Sequence, residues 1–351
     1  MERVSDIKLG ERSKAILEIA IENYISYGAP VGSRTLSKNK KINLSAASIR
    51  NIMADLEDLG LLSQPHTSAG RVPTDLGYRC YIELIMKAEK LSPQEKKAIR
   101  DCITGYSGDL ASVMGQTSKV LSQFSHNIGV ALYPKISKCV FKHIKFVKLF
   151  YPKILVILVS RSGTVFNKVI EIEEELSQIE LDNISSYIVD KFEGMSLFFI
   201  RQMLLQMMKE EKAAYDRMMR NVITVSSKSF SEMVESDFLF YDGASKILEF
   251  PEFSNLETMK TIFRTLEERE RLIKILAECI EGEGVQIIIG SENSNEEFKD
   301  LSLVMASYNY KNSVLGSLGI IGPTRMSYAK AISLVDYVSY IVSRTISCAE
   351  L

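Results

Sequence analysis

The stretch from Ser45 to Gly60 constrains the fold most. Ile49, Ile52, Met53, Leu56 and Leu59 recur at three- and four-residue steps, which predicts a helix with one apolar stripe facing inward. Ser48, Asn51 and Asp55 fall away from that stripe, with Arg50 at its flank. Upstream, Ile16, Ile19, Ala20 and Tyr24, with Leu17 and Ile21 beside them, predict a helix over Glu11 to Tyr27, stopped by Gly28 with Pro30 just beyond. Ser33 is expected to cap a short second helix through Leu36 to about Lys40. The mostly polar run Lys40 to Asn43 is then expected to make a turn. A buried helix preceded by a short helix and a tight turn is the layout of a helix-turn-helix, whose last helix presents its N-terminal residues to the major groove of DNA.

The residues that follow predict a hairpin beside that motif. Leu61-Leu62-Ser63-Gln64 and Arg71-Val72-Pro73 are short strand candidates, and the turn-compatible run Pro65 to Gly70 joins them. A tip carrying His66, Thr67, Ser68 and Arg71 has the chemistry to lie along phosphates or enter the minor groove, making a winged version of the motif. An exposed loop would place His66 in the same position. Thr74 is expected to cap a further helix from Asp75 to about Lys90, with Tyr78, Tyr81, Ile82 and Ile85 inward.

Charge is distributed to match. The whole chain has 43 Lys+Arg and 44 Asp+Glu, a formal net charge of −1, so any basic surface is local. From Asn23 to Ala54 there is no acid, but Arg34, Lys38, Lys40, Lys41 and Arg50 are present. A local basic patch on a neutral protein is the pattern of one small module meeting a polyanion. A solvated helical face would carry the same charges, and the helical periodicity is what tilts the balance toward DNA. Ser33, Arg34, Lys38, Lys40 and Lys41 would position the module on phosphates. Ser45, Ser48, Arg50 and Asn51 would face the groove, with Arg to guanine and Asn to adenine the favoured pairings.

Long blocks of this sequence resemble a known family. Gly-Ala-Pro-Val-Gly-Ser-Arg-Thr-Leu at 28–36, Ser-Ala-Ala-Ser-Ile-Arg-Asn-Ile-Met-Ala-Asp-Leu-Glu at 45–57 and Gly-Leu-Leu-Ser-Gln-Pro-His-Thr-Ser-Ala-Gly-Arg-Val-Pro-Thr at 60–74 look like the heat-inducible transcription repressor HrcA family. So do Phe240 to Gly243 with Pro251-Glu252-Phe253, Ile289 to Asn293, and Leu318 to Met326. The resemblance covers essentially the whole chain. It implies a multidomain α+β protein: an N-terminal winged helix-turn-helix over 1–90, a GAF-like α+β domain over 91–175 and 251–351, and an inserted, mainly helical dimerisation domain over 176–250. It also implies a homodimer on double-stranded DNA at an inverted-repeat (CIRCE) operator upstream of chaperone genes. The chaperonin would keep the repressor competent, and heating would withdraw it.

The residues past 90 support a separate, larger body. Ser92-Pro93-Gln94-Glu95 is a compact helix start, with helical material expected to about Phe124, interrupted near Gly105 and Gly108. Strand-like runs follow at Lys142 to Tyr151, Lys153 to Ser160 and Thr164 to Ile172, and again at Val285 to Ile289, Leu301 to Tyr308 and Ser317 to Ile321. They are expected to gather into one sheet with helices beside it. A helix is expected over Ser254 to Ile280 and a final one from Ser327 to about Ser347. Within 176–250, Ser177 with Glu180 opens one helix, and a second dominates Met195 to Arg220. Met195, Phe198, Phe199, Met203, Leu204, Met207 and Met208 make that second helix apolar on more than one side. Adaptable thioethers suit a contact surface, and surplus apolar area must be covered. Ordinary core would look alike. Two modules on a symmetric repeat roughly double the interaction free energy, which favours dimerisation.

Other function classes find little here. Cys80, Cys102, Cys139, Cys279 and Cys348 are scattered without a C-x-x-C pair, and His66, His126 and His143 are dispersed, so neither a disulfide framework nor a metal site is expected. Gly316 to Gly322 lacks the strand–GxGxxG–helix order of a nucleotide loop. Glu173 to Glu175 and Glu267 to Glu270 are solvated charge runs. Pro323-Thr324-Arg325 would cap the final helix or hold an anion. No catalytic constellation has local support, and no cofactor is expected. The longest aliphatic run, Ile154 to Val159, is far short of a membrane span, and Met1 to Gly10 has no signal-peptide core. A cytoplasmic, nucleoid-associated protein is expected. Two alternatives remain at this point: a regulator whose GAF-like part senses a small molecule, and an enzyme in the C-terminal half.

Overall fold

The computed structural model describes residues 7–39, 42–66, 69–87, 89–105, 110–132, 140–161, 165–209, 217–234, 239–253, 284–293, 298–310 and 313–348, with scattered positions between 259 and 276. The architecture is mixed α+β. The expected helix Ser254–Ile280 falls mostly outside the described residues.

The N-terminal unit opens with α1 (Glu11–Tyr27), which buries Ile16, Leu17, Ile19, Ala20 and Ile21 and ends where Gly28 turns left-handed at φ 65°. α2 is a single turn, Ser33–Leu36. Gly32, not Ser33, is its N-cap, and no side chain caps it; the turn also stops short of Lys40. α3 (Ala46–Asp58) is capped by Ser45, whose Oγ accepts from the Ser48 N–H at 3.1 Å. Ile49, Met53 and Leu56 are buried against α1 and α2, and Ile52 is half-buried. Leu59, expected on the same stripe, is the C-cap and is 46% exposed, because the helical turn has already ended there.

β1 (Leu62–Ser63) and β2 (Val72–Pro73) pair antiparallel, Leu62 opposite Pro73 and Ser63 opposite Val72. Arg71 extends the pairing to Val31, N–H to O at 2.9 Å one way and 2.8 Å the other. Thr74 Oγ1 accepts from the Gly77 N–H at 3.0 Å and donates to the Gly60 carbonyl at 2.6 Å, capping α4 (Asp75–Cys80) and closing the hairpin base. The helix runs on through one π turn, Tyr81–Ile85, and ends there instead of near Lys90.

α5 (Pro93–Thr104), opened by the reciprocal Ser92–Glu95 capping box, and α6 (Leu110–Ser125) lead into the body. Its five-stranded antiparallel sheet has the order β7-β3-β10-β9-β8, with β3 (Ile128–Leu132), β7 (Leu239–Asp242), β8 (Val285–Ile289), β9 (Leu301–Tyr310) and β10 (Ser313–Pro323). α6 and the last helix, α10 (Tyr328–Cys348), cover one face over Ala131, Val304, Tyr308, Leu318 and Ile320. Ile247, Phe253, Leu272 and Leu276 cover the other over Ile128, Val130, Leu132, Leu303 and Ile321. Burial on both faces explains why these strands are apolar without alternation.

The strands do not gather into the single sheet expected from sequence. β4 (Phe141–Lys148), β5 (Lys153–Ser160) and β6 (Val165–Glu171) form their own three-stranded antiparallel sheet. Their hairpins satisfy one another locally: Phe146 faces Val156, and Leu158 faces Phe166. α7 (Gln178–Phe192), opened by the Ser177–Glu180 capping box, packs on β4, and α9 (Arg217–Val234) on β6, α7 and α8 (Leu197–Lys209). The helix expected over Met195 to Arg220 is thus two helices, the second running on to Val234. The whole assembly lies between β3 and β7, which are neighbours in the larger sheet.

Candidate nucleic-acid interface

The buried stripe of α3 leaves its N-terminal half bare on the outside. Ser45, Ser48, Arg50 and Asn51 are all exposed there. Ser45 and Ser48 hold one another, hydroxyl to hydroxyl at 3.0 Å, so the first turn is fixed before any ligand arrives. Arg34 and Lys38, on and just after α2, are exposed as well, and Ser33 is half-buried. Among the described residues no ion pair engages Arg34, Lys38 or Arg50. Their charge is therefore available to solvent or a polyanion. Lys40 and Lys41 lie outside the described residues.

The hairpin follows α3 and pairs back to Val31, just ahead of α2. His66 is exposed near its tip, where Gln64 Nε2 donates to the Ala69 carbonyl at 3.0 Å across the turn. Thr67 and Ser68 lie outside the described residues. Arg71 points elsewhere than expected from sequence: its Nε and Nη2 donate to Glu57 Oε2 at 2.8 and 2.7 Å. It joins the hairpin to the end of α3. Glu57, beside Leu56 in the last turn of α3, carries no local sequence signal for this role.

The residues expected at a dimer contact divide. Leu204 is fully buried with Leu197 and Ile200 on the core side of α8. Met195, Met203 and Met207 are partly buried against that core, while Phe199 is 53% exposed. The side chains of Phe198 and Met208 lie outside the described residues. Elsewhere in the same unit Phe150, Ile179, Val165 and Val169 are exposed, which the sequence reading did not single out. Only alternation along β6, with Phe166 and Ile170 inward, could have marked the last two.

No helix among the described residues is long and apolar enough to cross a membrane. No group of three His, Cys, Asp or Glu among them could hold a metal ion.

A crystal structure of a hypothetical protein has the same overall fold, with a TM-score of 0.66 and 19% identity over 97% of this chain and 99% of that one. Residues 111–332 match the family model for the HrcA protein C terminal domain. The chain is 41% identical to the heat-inducible transcription repressor HrcA of Geobacter sulfurreducens, over 96% of this chain and 98% of that protein. It is 38% identical to that of Syntrophobacter fumaroxidans, over 96% and 97%. A helical unit with a bare, partly basic face on a mixed α+β body therefore has its relatives among transcription repressors. Within that class the chain belongs to the HrcA family.

Proposed function

We propose that this chain is a sequence-specific DNA-binding repressor of heat-shock genes, acting as a homodimer on an inverted-repeat, CIRCE-type operator. The supporting observation is the outer face of α3, where Ser48, Arg50 and Asn51 stand exposed on a helix whose opposite side is locked into core. In this reading the N-terminal unit is a winged helix. α3 enters the major groove, Arg50 reads guanine and Asn51 adenine, and Ser45 and Ser48 approach the first base pairs. Ser33, Arg34, Lys38, Lys40 and Lys41 neutralise phosphates. His66, Thr67 and Ser68 form the wing tip, and Arg71 braces it from behind.

The body is GAF-like, and the inserted unit supplies the dimer contact; its bounds move from the 176–250 expected from sequence to about 140–234, because strands 141–171 pair in a sheet of their own and β7 belongs to the larger sheet. Among the described side chains of α8, Phe199 is the exposed apolar one for that role, with Met195, Met203, Met207 and Met208 supplying adaptable thioethers. The chaperonin keeps the repressor competent and heating withdraws it, as expected of a fold whose active fraction is decided by a few kcal/mol. The protein works in the cytoplasm, at the nucleoid.

Fluorescence anisotropy with a duplex carrying the chaperone-gene inverted repeat, against a scrambled duplex at two salt concentrations, tests this. Strong preference for the repeat with a steep salt dependence is expected. Equal, weak binding to both duplexes, unchanged by added chaperonin, would refute it.

A further inference from the structure

The N-terminal unit is fastened to the body at two separate places, neither of them on the face assigned to DNA. The first lies along α4. Asp75, in its first turn, accepts from the Ser291 N–H at 2.9 Å and from Ser291 Oγ at 2.7 Å. One turn on, Arg79 donates through Nε to Glu292 Oε1 at 2.8 Å and through Nη2 to the Ile287 carbonyl at 2.7 Å, and also pairs with Glu292 Oε2. Glu292 is itself held, since its Oε2 accepts from the Ile289 N–H at 2.8 Å. The Arg79 and Glu292 side chains are only 19% and 16% exposed. Gly290 makes the approach possible: at φ 47°, a Cβ there would sit 2.5 Å from the Asp75 carboxylate.

The second place is the C-terminal end of α1. Arg325, which follows β10, donates through Nη1 to the Ile25 carbonyl at 3.1 Å, pairs with Glu252, and lies over the Phe250 ring at 5.4 Å. Its guanidinium sits where a cation suits the negative end of the helix dipole. A Cβ at Gly28 would come within 3.1 Å of it. Between the two fastenings, Tyr78 meets Tyr328 at 5.7 Å between ring centroids, both buried.

One attachment leaves a hinge, but two at different helices, with a packed ring pair between them, remove rotation. Ser45, Ser48, Arg50, Asn51 and His66 take no part in these contacts and stay exposed. The contacts therefore orient the DNA face without covering it. We propose that Asp75, Arg79, Ser291, Glu292 and Arg325 form a clasp that fixes the angle between the DNA-reading unit and the body, so that a dimer accepts one half-site spacing and rejects others. These are positioning residues, and the inference rests on the DNA-binding dimer proposed above. Its physical content is effective concentration. Two rigidly held modules gain about 10²-fold or more from simultaneous binding when the span matches, and lose it when the span does not.

The experiment uses the full chain and three duplexes: the inverted repeat, the same repeat with its spacer lengthened by about half a helical turn, roughly 5 bp, and a single half-site. Wild type is expected to bind the lengthened repeat about 10²-fold more weakly than the natural one. The D75A/R79Q double variant should keep half-site affinity while its spacing discrimination collapses to a few-fold. Arg79→Lys, which retains a cation for Glu292, should recover part of it. If the double variant does not fold, Arg325→Gln, which loosens the second fastening at the Ile25 carbonyl and Glu252, decides: with one attachment left, discrimination must relax in the same direction. A folded variant with wild-type spacing discrimination overturns the clasp, as does a wild type indifferent to spacing while still preferring the repeat to scrambled DNA. A wild type that does not prefer the repeat at all removes the DNA-binding proposal, and the clasp with it.

Discussion

Arg71 and Glu57 bind the hairpin to the last turn of α3, two guanidinium nitrogens on one carboxylate oxygen at 2.8 and 2.7 Å. The hairpin and the helix that would read DNA thus move as one piece. Arg71→Ala is expected to lower stability by about 1.5–3 kcal/mol, the range for hydrogen bonds to a charged group, measured by urea unfolding. The low end is favoured because Glu57 is 32% exposed. A phosphate contact would predict something else, a fall of about one in the salt slope of DNA binding. With Arg71 as a brace, the variant's slope stays at the wild-type value.

Arg50→Ala separates base reading from phosphate neutralisation. It should cost about 1–3 kcal/mol on the operator and leave non-specific duplex binding unchanged, read by anisotropy on both DNAs. Lys38→Ala should weaken binding to both about equally and reduce the salt slope by about one. Equal loss on both duplexes for Arg50→Ala would move that residue to the phosphates.

On α8 two apolar residues five positions apart should behave differently. Leu204→Ala removes a fully buried side chain and should cost about 2–5 kcal/mol of stability through the cavity it leaves. Phe199→Ser changes an exposed position and should shift stability by less than about 0.5 kcal/mol. Sedimentation velocity should nevertheless show weaker self-association. A Phe199→Ser protein as dimeric as wild type would remove that face from the dimer contact.

Ser45→Ala deletes the cap of α3 and the hydroxyl pair with Ser48. A loss of about 1 kcal/mol in thermal or urea unfolding is expected.

Local chemistry was legible in the sequence. The cap at Thr74 and the starts at Ser92–Glu95 and Ser177–Glu180 follow from residues three apart, and the structure forms them, whereas the cap expected at Ser33 does not form and Ser45 caps α3 without having been expected to. The helix expected over Glu11 to Tyr27 is α1, and the two short strands expected beside it do pair as a hairpin, Leu62 with Pro73 and Ser63 with Val72. What depended on distant partners was not legible. Strands 141–171 look like those at 285–321 in composition, and only pairing decides that they form a sheet of their own. Leu197, Ile200 and Leu204 could be separated from Phe199 only once α9 lay against α8. Asp75 and Ser291 are 216 residues apart, and each alone is an unremarkable polar residue. Arg325, expected to cap the final helix or hold an anion, instead meets the Ile25 carbonyl at the end of α1.

Hydroxyl-radical footprinting of the full chain on the chaperone-gene inverted repeat, combined with the mass of the complex, tests the central proposal most directly. The expected result is two subunits per duplex, with protection symmetric about the dyad and centred on two major-groove half-sites. One subunit per duplex, or protection no different on scrambled DNA, would contradict it.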